Sequence, residues 1–159
     1  MKRLNRQIQN VYAEHGCVMG EAQLLERYLA YMIVGGREQP TSQDFNQELR
    51  DIAKKSLGDL IRIFKRSFPV PPSLEARLDA VKRLRNVVAH DYFSLRAEAF
   101  QTRGGRAEMI RELDQIGDQF HKLYEYLDDL VVGWLAGPDP TRMELIETFV
   151  RTARRLTGA

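Results

Sequence analysis

The chain has 159 residues, 43% of them hydrophobic and 29% charged, with a formal net charge of +2. That is long enough for one domain with a proper core, and the balance excludes a disordered chain and an obvious polyanion binder. Cys17 is the only cysteine, so an intrachain disulfide is excluded and a reducing cytoplasm is the expected setting.

The first segment, MKRLNRQIQNVYAEHG, is basic but lacks the apolar stretch of a secretory signal. Val18, Ala22, Leu25, Leu29 and Met32 then recur at three- and four-residue steps, which predicts a helix ending at Gly35-Gly36. Gly16 and Gly20 leave open whether residues 5–14 belong to the same helix. Cys17 is expected to be buried. Pro40, Thr41 and Ser42 open a second helix with Phe45, Leu49, Ile52, Leu60 and Phe64 on one face, bent or interrupted at Ser56-Leu57-Gly58. PVPP at 69–72 ends it.

Ser73 is the predicted N-cap of the third helix, with Glu75 near its positive end. After it, FSLRAEAFQTRGGR reads as an irregular connection closed by Gly104-Gly105. The fourth helix has the strongest pattern. Met109, Leu113, Ile116, Phe120, Leu123, Leu127, Leu130 and Trp134 alternate by four and three along one seam. Gly137-Pro138-Asp139-Pro140 stops it, and Thr141 with Glu144 forms a capping box opening a last helix over about 141–156. With no strand pattern and no internal repeat, the expected fold is all-α, an up-and-down bundle of four to five main helices in one domain. No apolar run approaches the roughly 18 residues needed to cross a bilayer, so no membrane partner is expected. His15, His90, His121 and Cys17 follow no metal-ligand spacing, and neither metal nor cofactor is expected. His121 reads as a surface residue.

Charge is distributed unevenly. Arg62, Lys65, Arg66, Arg77, Lys82, Arg83, Arg85, Arg96, Arg103 and Arg106 precede an acidic segment running from Glu108 to Asp129. Such a basic face is compatible with RNA, although solvated charge is the commoner explanation.

One stretch departs from ordinary helical patterning. In PSLEARLDAVKRLRNVVAHDY, at roughly 100° per residue, Leu74, Leu78, Val81, Leu84 and Val88 share one arc, and Arg85 and Tyr92 fall inside it. An unpaired buried guanidinium is costly, so Arg85 needs a partner, an interface or a wet cleft. His90 sits about 140° away on an ideal helix, with Asn86 one turn before it on its own side. Either Arg85 snorkels to the surface and His90 faces solvent, or the helix is distorted near Ala89 and the two converge.

RNVVAH late in a helix, followed by DY, resembles the signature of the HEPN superfamily, an arginine followed after four to six residues by histidine. The likeness covers most of residues 17–136 in helical organisation but only about eight residues in motif. It implies a metal-independent endoribonuclease that dimerises so that two motifs face one shared cleft. His90 would move protons and Arg85 would hold the phosphoryl oxygens, with Asn86 orienting His90 or contacting phosphate. The products would be a 2′,3′-cyclic phosphate and a 5′-hydroxyl. Tyr92 resembles the tyrosine modified in HEPN toxins paired with nucleotidyltransferase antitoxins; it reads equally as a packed tyrosine with its hydroxyl satisfied. Asp91 stands beside His90, placed to raise its pKa or simply as a helix-end residue. Arg83, Arg96, Arg103 and Arg106 are candidate RNA-backbone contacts. The expected partners are an RNA substrate, a second copy and an antitoxin or regulator. The alternative is a non-catalytic helical module that binds a toxin, antitoxin or RNA.

Overall fold

The computed structural model describes the backbone of residues 5–36 and 42–135, and the side chains of 5–36 and 43–130. Every regular element in it is helical. In chain order these are α1 (Arg6–Gly35), α2 (Ser42–Ile52), α3 (Leu57–Ser67), α4 (Pro72–Asn86), a π-helical turn (Val87–Asp91), α5 (Tyr92–Leu95), α6 (Ala97–Gln101) and α7 (Arg103–Leu135). No strand occurs among the described residues, so the all-α expectation stands. Pro40, Thr41, the stop at 137–140 and the helix predicted at about 141–156 lie outside the described residues.

The chain divides into two compact units. One holds the residues up to Leu25 with Pro71–Leu123, the other Glu26–Val70 with the residues from Tyr124 onward. α1 and α7 each contribute to both.

In the first unit, the buried side chains repeat with helical period. They are Val11, Val18, Ala22 and Leu25 on α1, Leu74, Leu78 and Val81 on α4, and Met109, Leu113, Ile116, Phe120 and Leu123 on α7. From Met109 to Leu123 the α7 seam is therefore core, as its alternation predicts; Leu130 is only half-buried, and the Trp134 side chain lies outside those described. Gly16 and Gly20 do not interrupt α1, because propagation along a 30-residue helix with a buried stripe outweighs about 1 kcal/mol lost per glycine. Cys17 is exposed, contrary to expectation; it lies one step off the stripe of Val11, Val18 and Ala22. His121 is exposed, as expected.

Two boundaries differ from the sequence reading. The cap of α4 is Pro71, extended at φ −64°, ψ 151°, with Pro72 in the first turn and Ser73 inside the helix. Proline's fixed φ and missing N–H suit that first position better than they suit a stop. The segment FSLRAEAFQTRGGR is not an irregular loop but α5, α6 and the start of α7. Thr102 Oγ1 accepts from the Gly105 N–H at 2.9 Å, so threonine opens α7 and the two glycines lie within it.

In the second unit, Leu57, Leu60, Ile61 and Phe64 form the buried face of α3, and Tyr28, Leu29, Ile33 and Leu127 are also buried. The Tyr28 hydroxyl donates to Asp128 at 2.9 Å, and burial together with that carboxylate pushes its pKa far upward. Ser56 breaks α2 from α3 as an N-cap: its Oγ accepts from the Asp59 N–H at 3.2 Å and donates to Asp59 Oδ2 at 2.8 Å. Ser56→Ala should therefore lower unfolding free energy by about 1 kcal/mol, read from urea unfolding with an unchanged m-value.

Candidate functional site

α4 delivers Arg85 and Asn86 at its last residues and then widens. Over Val87–Asp91 the backbone forms a π-helical turn, which begins two residues after the arginine of RNVVAH and contains its histidine. The Val87 N–H is shared between the Arg83 and Leu84 carbonyls, and Asp91 takes up the readjustment at φ −120°, ψ −14°. An i→i+5 turn holds one residue more than an α turn, so residues five apart tend to stand one above the other. Arg85 and His90 are five apart. A π-helical turn advances by less than about 100° per residue, so the 140° reckoned on an ideal helix does not apply across Val87–Asp91.

The residues of the turn differ in burial. Val88 and Tyr92 are both buried, whereas Asn86, His90 and Asp91 are exposed and Arg85 is half-buried. Neither Asn86 nor Asp91 spends its side chain on capping.

Tyr92, Arg96 and Glu112 are brought together. The Tyr92 hydroxyl donates to the Met109 carbonyl and to Glu112 Oε2, each at 3.1 Å. Arg96 Nε donates to Glu112 Oε2 at 2.7 Å, and its terminal nitrogen donates to Oε1. The two parallel bonds make the forked pair that arginine forms best with carboxylate. Burial, then Glu112, pushes the Tyr92 phenol upward, so it remains a donor at neutral pH. The Arg96 hydrogen bond holds the Glu112 carboxyl below its ordinary 4.5, and the same pair pushes Arg96 upward. Of the two readings of Tyr92, a packed tyrosine with its hydroxyl satisfied is the arrangement found here.

A folded-state carboxyl pKa below the unfolded value stabilises the protein above the unfolded pKa, and that contribution fades as pH falls through the folded one. Glu112→Gln should cost about 1 kcal/mol at pH 7, since the pair is part-exposed and screened by solvent. The thermal midpoints of wild type and variant should converge as pH falls below the ordinary carboxyl value and through the lowered folded one, checked by melting both across the acid range.

The four candidate RNA-contacting arginines separate into two sets. Arg96 is committed to Glu112. Arg106 donates to the Phe100 carbonyl at 2.8 Å and to Gln7 Oε1 at 3.2 Å, tying α6 and α1 to α7. Arg83 and Arg103 have exposed side chains.

Sequence reading missed His15. Its Nε2 lies 2.8 Å from the Val88 carbonyl, and its ring packs at 5.0 Å from Phe93 and 6.1 Å from Tyr92. Tyr12, one turn earlier, lies 5.2 Å from Phe93 and 5.9 Å from Phe100. A signal was present: His15 stands four residues after Val11 and three before Val18, on the buried stripe of α1, where a histidine calls for a polar partner. Glu112 was missed because nothing local to it distinguishes it from the other acidic residues of α7.

No helix among the described residues is long and apolar enough to cross a membrane. No protein-family model, curated protein or solved structure matches the chain.

Proposed function

We propose that this chain is a HEPN-type, metal-independent endoribonuclease, with Arg85 and His90 as its working pair. The observation that carries the reading is the π-helical turn at Val87–Asp91, which begins two residues after the arginine of the motif and contains its histidine. Such turns are rare, cost regular hydrogen bonding and occur frequently at functional sites. An ordinary helical repeat has no need of one.

RNA carries its own nucleophile. The 2′-oxygen attacks the adjacent phosphorus as a base removes its proton, and the bond to the 5′-oxygen breaks as that oxygen gains a proton. Phosphorus thus ends in a 2′,3′-cyclic phosphate and the leaving strand in a 5′-hydroxyl. His90, exposed on the turn, serves as the base or the acid, the two roles an imidazole most often takes in proton transfer. In a dimer of the HEPN kind, the His90 of a second copy fills the complementary role across the shared cleft. Arg85 offers its fork to the non-bridging oxygens as negative charge builds. Asn86, exposed beside it, orients His90 or holds a phosphate oxygen, and Arg83 and Arg103 are available to the RNA backbone.

The test is incubation of the purified chain with end-labelled single-stranded RNA and bulk tRNA in EDTA. Fragments ending in cyclic phosphate support the reading. Intact RNA from a folded dimer sinks it and favours the non-catalytic module that binds RNA or a protein partner.

A further inference from the structure

A π-helical turn draws its amides one residue further back, so one carbonyl of the turn is left short of its α-helical donor. A donor arrives on this turn from far away in the chain. His15, 73 residues before Val88 in sequence, places Nε2 at 2.8 Å from the Val88 carbonyl. A carbonyl can only accept, so the ring proton in this contact sits on Nε2. The ring is also held from the side by Phe93 at 5.0 Å, which is itself flanked by Tyr12 at 5.2 Å and, edge-on, by Phe100 at 5.9 Å. His15 is thus a fixed imidazole on a 30-residue helix, with its donor spent on backbone two residues before His90.

We infer that His15 is a positioning residue: by donating from Nε2 to the Val88 carbonyl it clamps the π-helical turn and so sets the placement of His90 relative to Arg85. This deepens the ribonuclease reading and rests on it for its catalytic consequence, though not for the clamp itself. His15 touches the turn's backbone rather than any reacting group. Its effect should therefore appear in kcat, through the geometry of His90, and little in KM.

The experiment compares wild type with His15→Leu, which removes the donor, and His15→Gln, which restores an N–H. At pH 8, long-range nitrogen–proton spectra of wild type should show His15 in the Nε2–H tautomer alone. Amide hydrogen exchange at residues 88–92 should quicken at least about fivefold in His15→Leu relative to amides in the middle of α7, and return toward wild type in His15→Gln. kcat for RNA cleavage should fall about tenfold in His15→Leu with KM nearly unchanged, and recover in part in His15→Gln. A His15 proton on Nδ1, exchange at 88–92 unmoved by His15→Leu, or a His15→Leu kcat equal to wild type would each overturn the inference. If His15→Leu does not fold, the wild-type tautomer and the His15→Gln exchange pattern decide it. If wild type cleaves no RNA, the ribonuclease reading alone has failed, and tautomer and exchange still uphold or overturn the clamp.

Discussion

Replacing His90 by alanine should slow RNA cleavage by roughly 10²–10⁴-fold, the usual contribution of a general acid or base, without disturbing the fold. Its side chain is exposed, so no core contact is lost, and the melting temperature should match wild type. Arg85→Ala should slow cleavage by about 10²–10³-fold, the scale of removing one donor aimed at developing charge. Arg85→Lys should recover little, because an ammonium keeps the charge but not the planar fork. The double variant should be scarcely slower than the worse single one, since groups acting as a unit are not additive. Single-turnover cleavage of one labelled RNA by wild type and the four variants checks this, with circular dichroism confirming that each is folded. Cleavage that survives His90→Ala and Arg85→Ala together would place the active residues elsewhere or mean a contaminant.

The second large effect concerns stability and separates three glycines that look alike in sequence. Gly105→Ala should destabilise the chain by about 3 kcal/mol, the upper part of the range for forcing an atom into filled space. A methyl at Gly105 would collide with the backbone of Ala99, whose carbonyl carbon and Cα would lie 2.6 Å away, with the carbonyl oxygen closer still. The obstacle is backbone at the α6–α7 junction, not a flexible side-chain end. The thermal midpoint should drop by roughly 6–12 °C. Gly16→Ala and Gly20→Ala should act in the opposite sense. Both glycines lie within α1 with nothing inside 4 Å of an added methyl, and each exchange should add about 0.5–1 kcal/mol through helix propensity. Urea unfolding of the three variants decides the matter. A neutral Gly105→Ala would mean that α6 shifts freely away from α7.

These two results test different things: the first the proposed chemistry, the second the close approach that brings Thr102 and Arg106 into place at the start of α7. Arg106 ties that start to Phe100 and Gln7. Its commitment, like that of Arg96 to Glu112, means that basic residues near a motif are not automatically free to meet RNA. Hydrogen bonding within the chain uses them first.

What the sequence determined by itself was everything that depends on periodicity. The buried stripe of α1, the seam of α7 from Met109 to Leu127 and the break at Ser56 follow from residue spacing and cap chemistry. Those are properties of neighbours three or four apart in the chain. The odd position of Arg85 on an apolar arc was also legible, just before the stretch where the backbone leaves the α-helical form. Tertiary structure decided the rest. The π-helical turn occurs where Val88 and Tyr92 both reach the buried side while a histidine from α1 supplies a donor to the Val88 carbonyl. Glu112 acquires its role only when Tyr92 and Arg96 arrive beside it, 20 and 16 residues away in sequence. Gly104-Gly105 looked like a stop because glycine usually weakens a helix. Only the packing of α6 against α7 shows that a hydrogen atom is all that fits at the second of them. Local pattern specifies helices, because helical hydrogen bonds are local; where a helix must widen or admit a neighbour's backbone is settled by groups far away in sequence.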